Sequence, residues 1–214
     1  MKSQEFSHIL AAIILLAIVS GFTFALNSEW ELLITVLAFS VIVIAVSIFT
    51  KKIIANLLDA DVEHEIWKMK YFGFYPSYHL QKQVPAGIIF PLFLTLFSLG
   101  MLKFSALLTY ETRALKYRAA KRHGFYSFSE MTDWHNCLIG ASGIFFILLL
   151  SFITYFLPFN NMELFSKMAA YYAFWNLFPI SKLDGAQIFY GSRILWSVLF
   201  AIAAIFTVFA ITTV

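Results

Sequence analysis

The sequence predicts an all-α, polytopic membrane protein with about five transmembrane helices and one re-entrant segment. Three observations carry this. Of its 214 residues, 61% are apolar and only 13% are charged, against about 45–50% and 25% in ordinary soluble domains. The apolar residues fall in long runs that match the roughly 30 Å hydrocarbon core of a bilayer. The basic residues also sort to one side once the runs are threaded through a membrane.

The first run, Ile9 to Leu26, is longer than the apolar core of a signal peptide and has no small-residue cleavage site after it. It reads as a retained helix within a 1–31 N-terminal segment. Leu32 to Thr50, Cys137 to Leu157 and Ile194 to Val214 read as further spans. Met168 to Ile180 extends back through Leu164 and Phe165 and can cross as well. Val84 to Leu108 is apolar but contains Pro85, Gly87, Pro91, Gly100 and Lys103. It either spans or dips in and returns.

Lysine and arginine placement arbitrates. With 84–108 re-entrant, 14 of the 15 basic residues, Lys103 among them, share one side and only Lys167 lies opposite. With 84–108 spanning, the split is 7 against 8. The re-entrant reading follows, with the N-terminus cytoplasmic and a prokaryotic plasma membrane as the default location. Non-helical backbone at that depth must be satisfied by protein or water, so a cavity or groove is expected nearby.

The 109–136 loop is the main extramembrane piece. Its basic stretch R-A-L-K-Y-R-A-A-K-R-H-G suits a cytoplasmic loop at an anionic lipid surface; no nucleic-acid partner is expected. Ser127 and Glu130 have capping-box spacing. G-A-S-G at 140–143 lets helices approach closely. Cys137, the single cysteine, reads as a buried bystander. The chain forms one membrane domain without internal repeats.

Two polar islands interrupt the apolar pattern. D-A-D-V-E-H-E (Asp59 to Glu65) lies at the end of the second span, and N-L-F-P-I-S-K-L-D-G (Asn176 to Gly185) lies between two apolar runs. Ionisable residues at such depth are costly and usually functional. The threading puts both islands on the same side. On a helix, Asp61 would share a face with Glu65 at i,i+4 and with His64 at i,i+3. Asp184 would add a ligand from a second element. The ordinary alternatives are a solvated helix end for the first island and an Asp-Gly turn for the second.

The second island resembles the third core helix of the site-2 protease family of intramembrane zinc metalloproteases, whose signature is N-x-x-P-x-x-x-L-D-G. Asn176, Pro179, Leu183, Asp184 and Gly185 match it, and the resemblance covers roughly 32–196. It implies a zinc ion held by two histidines of H-E-x-x-H and by Asp184, with a glutamate as general base on a zinc-bound water. It also implies that Asn176 and Pro179 shape a substrate groove for transmembrane segments of other proteins.

The first half of the site departs from the family. In one register of H-E-I-W-K, His64 is a ligand and Glu65 the base, and Lys68 stands where the second histidine belongs. In another, anchored on K-Y-F-G at 70–73, Asp61 and Glu65 take the ligand positions and Val62 that of the base. His79, His123 and His135 are further histidines that could approach.

Three functions follow. The first is a divergent homologue that binds membrane segments with impaired or absent peptidase activity. The second is an active metalloprotease with a carboxylate-rich site, using Asp61, His64 or Glu65 with Asp184 as ligands and Glu63 or Glu65 as base. The third is a transporter-like protein with broken helices.

Overall fold

The computed structural model describes residues 3–69, 82–115, 131–158 and 161–212. Among them are seven helices and one two-stranded sheet: α1 (Ser3–Leu26), α2 (Trp30–Leu57), β1 (Ala60–Ile66), α3 (Ala86–Phe97), β2 (Leu108–Ala114), α4 (Asp133–Tyr155), α5 (Met162–Asn176), α6 (Asp184–Gly191) and α7 (Arg193–Thr212). The architecture is mostly helical, as predicted, but the β-hairpin adds a sheet that an all-α reading omits. Four helices, α1, α2, α4 and α7, are long and apolar enough to cross a membrane. They expose large apolar side chains such as Ile34, Phe49, Phe145, Ile205 and Val208, a surface suited to lipid rather than water. At 15 residues, α5 is about 22 Å long.

α4 is the central helix, packed against α2, α5 and α6. Its buried stripe includes Ile144, Ile147 and Leu148, which join Ile44, Met168, Tyr172 and Ile188 in one core. Its N-cap is Thr132, whose side chain accepts from the His135 N–H. The Ser127–Glu130 pair lies outside the described residues, as do His79, His123, Lys70–Gly73 and most of the basic loop.

The first island is a strand, not a helix end. α2 closes at Leu58, whose N–H still reaches the Ile54 and Ala55 carbonyls. Asp59 then adopts φ +54°, a left-handed conformation that Asp tolerates better than most residues, and the chain leaves the helix. From Ala60 onward burial alternates with a period of two. Ala60, Val62, His64 and Ile66 face the interior; Asp61, Glu63 and Glu65 face away. The expected i,i+3 partnership of Asp61 with His64 is therefore lost, because the two point to opposite faces. β1 pairs antiparallel with β2, with His64 opposite Tyr110 and Glu63 opposite Glu111.

The 84–108 segment leaves the sheet and comes back to it. Val84 bridges to Met69. The Gly87 N–H donates to Trp67 O at 2.8 Å, and the Trp67 N–H donates to Leu107 O at 2.9 Å. Both limbs thus straddle the end of β1. Between them α3 descends about 18 Å, and the turn at Gly100 reaches Phe22 and Thr23 at the far end of α1. The return limb is not helical, and its backbone is partly satisfied by the core: Asn176 Nδ2 donates to Ser105 O at 3.3 Å.

One placement is corrected. Lys103 sits on this return limb beside the Phe24 ring and shares a cavity with Lys167. It belongs to the end of the bundle away from the two islands.

The limbs meet where only glycine fits. A Cβ on Gly87 would lie 2.4 Å from Leu107 O and 3.1 Å from Trp67 N, both backbone atoms that cannot swing aside. Gly87→Ala is expected to destabilise the fold in detergent by about 1–3 kcal/mol. Gly21→Ala, whose nearest neighbour is the flexible end of Leu33, should cost less in the same thermal unfolding series.

Candidate functional site

The site is built around a lysine. Lys51, near the end of α2, is 2% exposed, and its Nζ donates to Asp184 Oδ2 at 2.5 Å. Asp184 is the first residue of α6 and is fully buried. Three features make room for the pair. Gly143 on α4 lies against the Lys51 stem, where a Cβ would be 2.6 Å from Cε. The ammonium sits over the Tyr110 ring, 4.8 Å from its centroid, a favourable placement for a desolvated cation. Tyr110 is itself pinned by its hydroxyl, which donates to Asn136 O at 2.7 Å.

The turn leading into α6 is compact. Ser181 adopts φ +54°, and Asp184 begins the helix instead of occupying an Asp-Gly turn. Gly185 packs against the Leu177 carbonyl, where a Cβ would be 2.0 Å away.

Lys52, the next residue, serves a second acid. Its Nζ lies 2.6 Å from Glu5 Oε1 on α1, and His64 Nδ1 is 3.5 Å from the same oxygen. Glu5 is only 6% exposed. A cavity of about 30 Å³ is lined by Gln4, Glu5, His8, Glu63, His64 and Glu65, enough for about one water. Burial, followed by Lys51 and Lys52, holds the His64 imidazole well below its ordinary pKa. His64 is therefore neutral at pH 7.

The other predicted residues have local partners or sit apart. Glu63 lies 3.3 Å from an Arg113 guanidinium nitrogen across the sheet, and Glu65 accepts from Lys68 at 3.1 Å. Asp61 accepts from the Val62 N–H. Asn176 is fully buried and, besides Ser105 O, donates to Tyr172 O at 2.8 Å. Pro179 is exposed in the α5–α6 turn. Lys182 pairs with Glu111 at 2.8 Å, tying that turn to β2, and this contact lowers the Glu111 carboxyl pKa. Among the described residues, no three of the His, Cys, Asp and Glu side chains gather as a metal donor set. The structure joins Asp184 to Lys51 and His64 to Glu5 and Lys52, rather than His64, Asp61 and Glu65 to Asp184.

Two groups of residues at this site escape a sequence reading centred on the islands. H-E-x-x-H works as a metal motif because a helix puts its two histidines on one face. H-E-I-W-K begins on a strand and cannot do this. Gln4-Glu5-Phe6-Ser7-His8 has the same spacing, with glutamine in the first position, and it does lie on a helix. Its signal was the E-x-x-H spacing at the entrance to the first apolar run. Lys51 and Lys52 were legible only as topology-setting charges.

Asp184 would be left buried and unpaired without Lys51. Lys51→Met is expected to cost about 3–5 kcal/mol. Combining it with Asp184→Leu should recover much of that loss, so the two changes are strongly non-additive. Denaturant unfolding of the four proteins in detergent measures the coupling. Simple additivity would show that the pair is not energetically linked. No family model, no curated protein and no solved structure matches the chain.

Proposed function

We propose that this is a divergent site-2-protease-like membrane protein that binds membrane segments of other proteins and lacks standard peptidase activity. In this reading α5 is a fifth span, 84–108 is re-entrant, the site lies toward the cytoplasm with the N-terminus, and the membrane is a prokaryotic plasma membrane.

The Lys51–Asp184 ion pair carries the reading. The family resemblance puts a zinc ligand at Asp184, and here that carboxylate holds a lysine ammonium. An ammonium supplies positive charge but no lone pair and no open coordination position. A catalytic zinc needs about three protein ligands and a water whose pKa it lowers. The side chains around Asp184 do not fit that requirement. The charge balance of the site is met internally instead, with Lys51 on Asp184 and Lys52 on Glu5.

A binding role remains open to the surrounding surface. A groove of about 380 Å³ beside β2 is lined by Tyr110, Glu111, Thr112, Ser181, Lys182 and Gln187, among others. The Tyr110 carbonyl faces this groove and accepts from Gln187 Nε2 at 2.9 Å. An extended peptide could add to this edge as a third strand, taking its affinity from main-chain hydrogen bonds.

The test combines metal, cleavage and capture on the purified full-length protein. Less than 0.1 equivalent of bound zinc is expected (roughly a tenth of what a one-site metalloenzyme holds). No cleavage of a transmembrane peptide is expected, and a photo-crosslinker replacing Gln187 should capture that peptide. One equivalent of zinc, with cleavage abolished by Asp184→Asn, would establish the active metalloprotease instead. Failure of capture would remove the binding role.

A further inference from the structure

At the end of the bundle away from Asp184, the hairpin tip, α1, α5 and α7 enclose a cavity of about 690 Å³. This is within the roughly 300–1,000 Å³ range of small-molecule sites. A membrane-spanning helix, 10–12 Å across and about 30 Å long, would need several times that space.

The lining is graded along α5. Leu164, Lys167, Met168, Tyr171, Phe174 and Trp175 all face the cavity, at the spacing of one helical stripe. Lys167 lies about 7 Å from the Met162 end along the helix axis, and Trp175 about 20 Å. Near the same end as Lys167, Lys103 enters from the hairpin, its ammonium 5.8 Å from the Phe24 ring centroid. Glu163, at 2.7 Å from Lys167, is the acid paired there, and it is mostly exposed and not part of the lining. The cavity is therefore cationic near the ends of α1, α5 and α7, and aromatic and apolar deeper in.

We propose that this cavity binds an anionic phospholipid of the surrounding bilayer, with its phosphate between Lys103 and Lys167 and an acyl chain along Tyr171, Phe174 and Trp175. The polarity gradient matches a lipid standing in its own leaflet, headgroup at the surface and chain inward. The two lysines supply net positive charge that a zwitterionic headgroup would not use. Basic residues at a membrane surface each favour an anionic lipid by about a factor of five. This inference stands independently of the reading of Asp184.

The test uses the full chain in a neutral detergent, titrated with phosphatidylglycerol or phosphatidylcholine carrying brominated acyl chains, with tryptophan fluorescence as the readout. Phosphatidylglycerol should quench at concentrations at least tenfold lower than phosphatidylcholine. The Lys103→Gln/Lys167→Gln variant should bind phosphatidylglycerol roughly 20-fold more weakly. Arg193→Gln, an exposed basic residue at the other end of α7, should leave binding unchanged. If the double variant does not fold, Trp175→Phe in the otherwise unaltered chain should lose the saturable quenching. Equal affinity for the two lipids, an unchanged double variant, or quenching that survives Trp175→Phe would each overturn the proposal.

Discussion

A lysine ammonium and a carboxylate, both removed from water, meet between α2 and α6. Desolvating either alone costs several kcal/mol, so the elements that bring them together are constrained by one another. α2 must end where Lys51 reaches the α6 N-terminus. Gly143 must leave room for the lysine stem, and Tyr110 must present its ring, which sets the position of β2. β2 in turn holds β1, and β1 places His64 against Glu5 on α1. A chain of contacts from one ion pair therefore reaches α1, α2, both strands, α4 and α6.

The same arrangement explains why two consecutive lysines can serve two acids on different helices. Adjacent residues on a helix diverge by about 100°, so Lys51 can turn toward α6 and Lys52 toward α1. Each takes up one buried carboxylate, and neither acid is left exposed to the low dielectric without a counter-charge. A site that balances its own charge has no electrostatic demand for an added cation. This charge balance is what supports the proposed binding role. The returning 84–108 segment is held in the same way: Trp67 and Asn176 take part of the backbone hydrogen bonding of its non-helical return limb.

Much of the frame was legible in the residue order. Long apolar runs mark the helices because a bilayer core demands them, and the sorting of lysines and arginines favours a returning 84–108 segment. Asp184 stood out because an acid within an apolar region must be compensated. The site's other half was less legible. Asp59 to Glu65 carries helix-compatible spacing as well as strict alternation, and short stretches of this kind do not declare their period. The turn at Asp59 decided it, and a left-handed residue after a long helix leaves no trace in hydropathy.

The sequence by itself determined that the chain is built of membrane-length helices, that 84–108 is interrupted, and that Asp184 lies in a polar island between two apolar runs. Those properties depend on local composition and on the cost of burying charge, which are the same in any arrangement of the helices. Only the tertiary structure decided who the partner is. Lys51 and Asp184 are 133 positions apart, and nothing local distinguishes Lys51 from the other basic residues near a membrane edge. The choice between a metal and a lysine depends on which side chains converge, and convergence is a property of packing.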